Sequence, residues 1–233
     1  MSRLRARGRP ALTLLVAGAA VAAGAGAVRA QSTIVAYDYT GLPGNQTTTP
    51  ASSVATGVSA TDIARSSDLV PSLAANTMSA NNWPTSLTLT DPTLGFYTFT
   101  LTPSSGFALN LSQLQIPLQS SGGGPDQVVV RSSLDGFTTD IGPPFMPLNN
   151  TLSTDTIDLT AATFQNLTSP IEFHVYGYFA NNGPNGQLRF FPSTVVTGSV
   201  APTPEPALTL SAAAAATGLA WLYRGIRRRR SVA

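Results

Sequence analysis

Short runs in which apolar and polar residues alternate are the feature that most limits what this chain can fold into. Such runs occupy residues 97–101, 107–111, 114–118 and 171–176. Side chains two residues apart lie on the same face of a strand, so this period predicts half-buried β-strands. Segments rich in Gly, Pro, Asn and Ser separate the runs and predict turns. The pattern therefore predicts an all-β domain.

Further strands complete the expected fold. They are predicted at residues 35–39, 128–131, 156–160, 188–191 and 195–200. Residues 46–82 are rich in Ser, Thr and Ala, which predicts a long loop with short strands, and one helical turn is predicted near residues 161–164. A set of strands of this size predicts an antiparallel two-sheet sandwich with a jelly-roll-like architecture.

The charged residues are distributed unevenly. All 13 positively charged side chains are arginines, and residues 31–201 contain only Arg65, Arg131 and Arg189 against ten acidic residues, a net charge of −7. An acidic domain repels nucleic-acid phosphates, so a nucleic-acid partner is excluded. The chain has no cysteine, which excludes disulfides and thiol chemistry.

The N-terminus has the organisation of a signal peptide. Four arginines between Arg3 and Arg9 precede a small-residue apolar run over residues 11–28, and Val28-Arg29-Ala30 has small residues on either side of the arginine. This order predicts a signal peptide over residues 1–30 with cleavage after Ala30. The alternative is a retained membrane anchor, which the length of the apolar run allows.

The C-terminus combines a proline-rich strip, an apolar run and a basic end. Residues 202–206 read Pro-Thr-Pro-Glu-Pro, and the apolar residues 207–223 follow. As a helix this run is about 25 Å long, slightly short of a bilayer core of about 30 Å. We predict a single transmembrane helix with the arginines in the cytoplasm and the middle domain outside. A permanent single-span anchor is the alternative to a temporary one.

The same order of features resembles the PEP-CTERM sorting signal of Gram-negative bacteria that make exopolysaccharide. The resemblance implies that an exosortase, a membrane-embedded cysteine peptidase, recognises the Pro-Glu-Pro motif and removes the tail. It divides the chain into a signal peptide (1–30), an ectodomain (31–201) and a sorting tail (202–233). The motif consists of Pro204, Glu205 and Pro206, and the topology-determining cluster consists of Arg227, Arg228, Arg229 and Arg230.

Part of the middle region resembles the exported domains of PEP-CTERM proteins. Arg131-Ser-Ser-Leu-Asp-Gly-Phe137 follows a predicted outer strand as "R-S-S-x-D-G-F" does there, and Tyr176-Gly-Tyr178 precedes a Gly-rich turn and a "G-x-L-R" strand. Where such relatives carry Asp-Asn before the valines of the last strand, this chain has Pro192-Ser193. The resemblance supports a sandwich and implies no activity.

The ionisable side chains offer few candidates for catalysis. His174 is the only histidine and shares a strand face with Glu172 and Tyr176, an arrangement that can bind a metal or transfer protons. A single histidine supplies neither a catalytic triad nor a typical three-ligand metal site, so we expect a solvated sheet face instead. No second histidine is available to act as a general base for Ser132 or Ser133.

Two kinds of ligand site remain open from the sequence. Loop carboxylates can supply oxygen ligands to Ca²⁺, but no EF-hand spacing is present, and we predict no metal and no cofactor. Aromatic residues can form a platform for sugars, although we expect them to fill the core. The carboxylates are those of Asp135, Asp140, Asp155 and Asp158, and the aromatics are Trp83, Tyr176, Tyr178, Phe190 and Phe191.

These observations predict an exported, non-catalytic protein of the cell surface or extracellular matrix. Its expected partners are exosortase, the inner membrane transiently through the C-terminal helix, and exopolysaccharide. A carbohydrate-binding module is the first alternative, because such modules share the sandwich architecture. A glycoside hydrolase is the second and would need a suitably spaced pair of carboxylates. Fold alone does not decide among the three.

Overall fold

The computed structural model describes residues 31–203. The predicted cleavage site at Ala30 and the predicted tail residues from Pro204 onward, including Arg227–Arg230, lie outside this range. The strands are β1 Ser32–Tyr37, β2 Pro43–Gly44, β3 Thr48–Thr49, β4 Ser53–Val54, β5 Val58–Ala60, β6 Ile63–Arg65, β7 Val70–Pro71, β8 Thr77–Asn81, β9 Phe96–Pro103, β10 Phe107–Ser120, β11 Pro125–Ser132, β12 Ser153–Asp158, β13 Ile171–Ala180, β14 Leu188–Phe190 and β15 Thr194–Pro202.

The strands form two sheets. Sheet A has the order β2-β8-β14-β10-β15-β1-β4, with β12 on β10 and β7 on β8, and sheet B has the order β11-β13-β9-β6-β3, with β5 on β9. Every pairing is antiparallel except the short parallel contact between β2 and β8. The predicted all-β, two-sheet sandwich is confirmed.

The smaller elements follow the sequence pattern closely. The only helical elements among residues 31–203 are single 3-10 turns at Ser133–Asp135 and Ala162–Phe164, and the second confirms the predicted turn. The predicted loop over residues 46–82 does contain short strands, β3 to β8. No helix within the described part of the chain is long and apolar enough to cross a bilayer.

Strand β10 replaces two predicted strands. The apolar positions 107–111 and 114–118 differ in phase by one residue, which suggested a break between them. Instead, a bulge shifts the register between Leu111 and Gln113 opposite β15, and an extra residue of this kind moves the alternation to the other phase. Gly198 makes the close approach possible, because a Cβ there would lie 2.2 Å from the carbonyl oxygen of Asn110.

The core lies between the two sheets and is rich in aromatic rings. Tyr97 packs on Phe190 with ring centroids 4.3 Å apart, and Phe99 packs on Phe173 at 5.4 Å. The buried Tyr97 hydroxyl donates to the Leu188 carbonyl oxygen at 2.9 Å, so its polar atom is satisfied. Each such ring removed from water contributes about 1.5–3 kcal/mol to folding. The packing therefore accounts for stability without disulfides.

Candidate functional site

The outer face of sheet B is covered, and His174 lies beneath the cover. The prediction of a solvated sheet face is wrong, because His174 is only 8% exposed. Phe96 stacks on one side of the imidazole and Phe137 on the other, each with ring centroids 3.9 Å from it and nearly parallel planes. Phe96 comes from β9, whereas Phe137 comes from the loop after β11. The histidine is thus the middle layer of an aromatic stack.

Both nitrogens of His174 are hydrogen-bonded. Nε2 lies 2.8 Å from Glu172 Oε1, and Nδ1 lies 2.8 Å from the Tyr176 hydroxyl. A carboxylate only accepts, so Nε2 carries the proton. Burial lowers the pKa of His174 and outweighs the opposing effect of Glu172. The lowered pKa favours the neutral ring, and the single proton of the Tyr176 hydroxyl can be donated either to Nδ1 or to the carbonyl oxygen of Pro92.

Two loops close over this network. The Tyr176 hydroxyl is also 2.9 Å from the carbonyl oxygen of Pro92, in the loop before β9. The Ser133 hydroxyl accepts from the backbone N–H of Glu172 at 3.0 Å. Burial raises the pKa of Tyr176 to about 12, although the nearby Arg131 opposes the rise. The network thus joins one strand, β13, to the loops on either side of it.

The sequence segment from Arg131 to Phe137 explains how one of these loops is placed. Arg131 Nε pairs with Asp140 at 2.6 Å, which closes the loop onto its own strand. Gly136 has a φ of +72°, in the left-handed region that favours glycine, and Phe137 follows at +60°. This left-handed pair of residues turns the chain so that the Phe137 ring reaches His174. The segment from Arg131 to Phe137 therefore holds its loop against β13, a role that the residue types alone did not reveal.

The enclosed network has little capacity for catalysis. The Tyr176 side chain is fully buried, and His174 is stacked on both faces. Glu172 retains partial exposure, but its Oε1 is occupied by His174 and by the Thr98 hydroxyl at 2.8 Å. A proton-transfer group must reach its substrate directly or through one water. The arrangement instead fits a structural role.

The four carboxylates considered for calcium are not brought together. Asp135 and Asp140 border a cleft of about 260 Å³. Asp135 accepts from the backbone N–H groups of Thr138 and Thr139, however, and Asp140 pairs with Arg131. Asp155 and Asp158 lie in β12 rather than in a loop. Within residues 31–203, no group of three or more His, Cys, Asp or Glu side chains lies close enough to hold a metal ion.

The aromatic residues considered as a sugar platform are mostly buried. Trp83 and Phe190 belong to the main core, and Tyr176 and Tyr178 form a second cluster with Val129. Phe191 alone keeps partial exposure. The expectation that these rings pack inside is confirmed for the first four. A coplanar platform built from this set is therefore ruled out.

The outer face of sheet A has a different composition. Gln113, Gln115 and Gln119 alternate along β10 with the buried Leu114, Ile116 and Leu118, so the glutamines point away from the core. Arg189 pairs directly with Gln119 across the strands, and Gln187 is two residues before it. We call this set of five side chains, Gln113, Gln115, Gln119, Gln187 and Arg189, the amide face. All five are partly exposed.

Arg189 organises one end of the amide face. Its Nε donates to Gln187 Oε1 at 2.8 Å, Nη2 donates to the same oxygen, and Nη1 donates to Gln119 Oε1 at 2.8 Å. Across β10, the exposed Thr156 of β12 faces Gln115. The face therefore carries amides, hydroxyls, one positive charge and, opposite Gln113, the exposed carboxylate of Asp158. The sequence analysis did not predict the amide face. A signal was present, because glutamine occupies every second position from 113 to 119 except position 117, which is proline.

Comparisons with known proteins give no assignment by sequence. No protein-family model matches the chain, and no curated protein matches it. Among solved structures, the chain is similar to a family 29 carbohydrate-binding module from Piromyces equi, with a TM-score of 0.39 and 12% identity over 73% of this chain and 93% of that chain.

A second solved structure gives a weaker likeness. It is the N-terminal cellulose-binding domain of β-1,4-glucanase C from Cellulomonas fimi, with a TM-score of 0.29 and 12% identity over 64% of this chain and 90% of that chain. At such TM-scores and identities, neither likeness carries an argument about the ligand of this chain. The proposals below rest on the surface chemistry instead.

Proposed function

We propose that residues 31–201 form an exported, non-catalytic surface or matrix domain that associates with extracellular polysaccharide through the amide face. The observation that carries the proposal is the row of partly exposed glutamines on β10, which ends at Arg189. Each glutamine both donates and accepts hydrogen bonds. Sugar hydroxyls also do both, so the two surfaces are chemically matched.

The shape of the row favours a polymer over a small ligand. Gln113 and Gln119 are six residues apart on one strand, which corresponds to about 20 Å. A row of this length is long enough to contact several consecutive sugar units, whereas small molecules are usually held in concave pockets. Thr154 and Thr156 of β12 extend the row sideways and are exposed. Hydrogen bonding, rather than aromatic stacking, is the expected source of affinity.

A carbohydrate-binding module that recognises one defined polysaccharide is the second candidate. The specific observation in its favour is the fixed geometry around Arg189, because side chains that are already positioned lose less entropy on binding. A general matrix protein needs no such device. Discrimination among related polymers would therefore favour the second candidate over the first.

A hydrolase is the least supported of the three functions. Glycoside hydrolysis uses two carboxyl groups on either side of the scissile bond. Several of the carboxylates here serve turns instead. Asp38, Asp91 and Asp158 each accept from the backbone N–H of the residue two positions later, Thr40, Thr93 and Thr160. These contacts support a structural role for the acids.

The delivery of the domain is part of the same proposal. We infer that the tail over residues 202–233 is a PEP-CTERM signal and that exosortase cuts it near Pro204-Glu205-Pro206 in a Gram-negative host. The connectivity of the domain is, on this proposal, that of a jelly roll. The order β1-β15-β10-β12 in sheet A and β9-β13-β11 in sheet B supports it, since successive long strands alternate between the sheets.

The proposed association is tested by binding of the full chain, in mild detergent, to soluble polysaccharides. The panel contains a mixed-linkage β-glucan, dextran and alginate, and the control protein carries Gln113→Ala and Gln115→Ala. We expect at least one polymer to bind the unaltered chain and to bind the control about tenfold more weakly, a change of about 1.4 kcal/mol. Absence of binding to every polymer would refute the proposal.

The proposed delivery is tested separately by intact-mass analysis in a host that has an exosortase. We expect a mature species that begins after Ala30 and ends near residue 203. Glu205→Ala should leave membrane insertion intact, because Glu205 lies outside the apolar run, but should prevent removal of the tail. A mature species that still ends at Ala233 would show a permanent anchor.

A further inference from the structure

The three arginines of the described domain differ in what satisfies their charge. Arg65 donates to the carbonyl oxygens of Gly44, Gln46 and Ser79, and so joins neighbouring segments of the chain. Arg131 pairs with Asp140. Arg189 forms no ion pair with any carboxylate of residues 31–203, and its side-chain hydrogen bonds within these residues go to Gln119 and Gln187. Arg65 and Arg189 therefore both lack a carboxylate partner within residues 31–203, but only Arg189 is held by side-chain amides rather than by backbone carbonyl oxygens.

The orientation of the two glutamines around Arg189 is determined by chemistry. A guanidinium group donates and cannot accept, so both amide oxygens must face it. Their NH₂ groups consequently point away from the guanidinium. Three of the five guanidinium N–H groups are used in these contacts, which leaves one each on Nη1 and Nη2. The result is a cluster of donors around one positive charge.

The cluster is fixed by the backbone as well as by side chains. Gln119 and Arg189 are direct partners in the β10–β14 pairing. Gln187 is held just before β14, where its N–H donates to the Ser121 hydroxyl at 2.8 Å and its carbonyl oxygen accepts from the Ser121 N–H at 2.9 Å. Side chains anchored in this way lose little further freedom when a ligand binds. The donors are therefore organised in advance.

A guanidinium that has no carboxylate partner but has two unused N–H groups favours a planar anion as its ligand. Arginine binds carboxylates through two parallel hydrogen bonds, which adds geometric preference to charge. The acid nearest in the register on this face is Asp158, opposite Gln113 and about 20 Å along β10 from Gln119. That separation is more than twice the Debye length of about 8 Å at physiological salt. The net negative charge of the domain thus weakens long-range attraction without occupying the site.

We propose that Arg189, Gln119 and Gln187 form a subsite for the carboxylate of an acidic sugar residue in an extracellular polysaccharide. The inference deepens the proposed function and rests on it. Arg189 supplies the charge and two N–H groups, and the amide NH₂ groups of Gln119 and Gln187 reach the neighbouring oxygens of the sugar. The rest of the amide face contacts the hydroxyls of adjacent units.

The test compares two polymers that differ only at the carboxyl group. The full chain in mild detergent is titrated with polygalacturonate and with the same polymer after chemical reduction of its carboxyls to primary alcohols. We expect the unaltered chain to bind the acidic polymer about tenfold more tightly, equivalent to about 1.4 kcal/mol. Arg189→Gln should remove this preference, so that the variant binds the acidic and the reduced polymer with equal affinity. Arg189→Lys should retain part of it, because the charge remains but the planar fork is lost.

Each alternative outcome has a defined meaning. Equal binding of both polymers by the unaltered chain, or a preference that survives Arg189→Gln, would overturn the subsite while leaving the proposed function intact. Failure of the unaltered chain to bind either polymer would overturn the subsite, and the proposed function would also be overturned only if no polysaccharide of the earlier panel bound. A sulfated dextran that competes as well as polygalacturonate would show a general anion site and overturn the assignment to a carboxylate. An unchanged melting temperature for Arg189→Gln establishes that the variant is folded.

Discussion

The outer faces of the two sheets contrast in what covers them. On sheet B, loops before β9 and after β11 cover an aromatic stack around His174, and the polar atoms there bond to one another. On sheet A, glutamines and Arg189 remain partly exposed, and Arg189 has only neutral partners. Both faces carry polar side chains on alternate residues. Burial therefore separates a stabilising network from a surface that is free to bind.

The contrast assigns different consequences to substitutions on the two faces. Removing a group from the covered face leaves partners buried and unsatisfied, which costs stability. Removing a group from the amide face leaves partners that water can reach, so stability changes little. Ligand binding should be weakened by substitutions on the amide face and little affected by substitutions on the covered face.

The largest loss of stability is expected for His174→Ala. The substitution opens a cavity between Phe96 and Phe137 and removes the partner of the Tyr176 hydroxyl. Truncation of a large buried side chain typically costs about 2–4 kcal/mol. Urea denaturation measures the free energy of unfolding, with Gln113→Ala as the matched control on the other face. Equal stability of the two variants would show that the covered face is not a structural network.

A smaller loss is expected for Tyr176→Phe. The ring is retained, but the hydroxyl that lies between His174 Nδ1 and the Pro92 carbonyl oxygen is removed. Both polar atoms then lose their hydroxyl partner, and we expect a loss of about 1–3 kcal/mol in the same denaturation experiment. Faster proteolysis within the loop before β9 should accompany it. Unchanged stability would mean that the loop is held by other contacts.

The pH dependence of stability provides a third comparison. Burial holds the pKa of His174 below its ordinary value of 6.5, so the unfolded chain takes up a proton at higher pH than the folded chain. The free energy of unfolding should therefore decrease as the pH falls below about 6.5 and should be constant just above it. His174→Gln should lack this decrease, which denaturation at pH 5 and pH 7 measures. An identical slope in both proteins would assign it to other groups.

Turn carboxylates act in a different pH range and do not obscure that result. Hydrogen bonds from Thr40, Thr93 and Thr160 hold the pKa values of Asp38, Asp91 and Asp158 below the ordinary 3.8. Their contribution is present above that value and is lost only at lower pH. The histidine effect begins near pH 6.5, well above the pH at which these groups protonate in the unfolded chain.

The smallest change in stability is expected for Gln115→Ala. Gln115 is partly exposed and makes only a long contact, 3.4 Å, with Gln113. We expect the free energy of unfolding to stay within about 0.5 kcal/mol of the unaltered value. Binding to whichever polysaccharide the full chain retains should nevertheless weaken measurably. A stability loss as large as that of Tyr176→Phe would place Gln115 in a structural network.

Much of the fold was predictable because alternation records which face of each strand is buried. The runs at residues 97–101 and 171–176 became parts of β9 and β13, as expected. The bulge in β10 was not predicted, since a change of phase between Leu111 and Leu114 reads equally well as a loop. The choice between a bulge and a loop depends on the partner strand β15 and its Gly198, which lie far away in the sequence.

The roles of the two outer faces were not predictable in the same way. Alternation placed Glu172, His174 and Tyr176 on one outer face, but it gave no sign that two loops would cover them. Coverage depends on the positions of Pro92 and Phe137 in space. The amide face was not predicted, because polar residues at alternate positions of a strand usually indicate exposure to solvent and no binding role. Its significance appears once β14 brings Arg189 beside Gln119.

A paired binding measurement decides whether polysaccharide contacts the amide face and not the covered face. The full chain, a Gln113→Ala and Gln115→Ala double variant, and His174→Ala are titrated side by side with the polymer that binds the unaltered chain most tightly. We expect the double variant to bind about tenfold more weakly than the unaltered chain, with the same melting temperature. We expect His174→Ala to bind as tightly as the unaltered chain at a temperature where that variant is still folded. Weaker binding by His174→Ala together with full binding by the double variant would contradict both expectations.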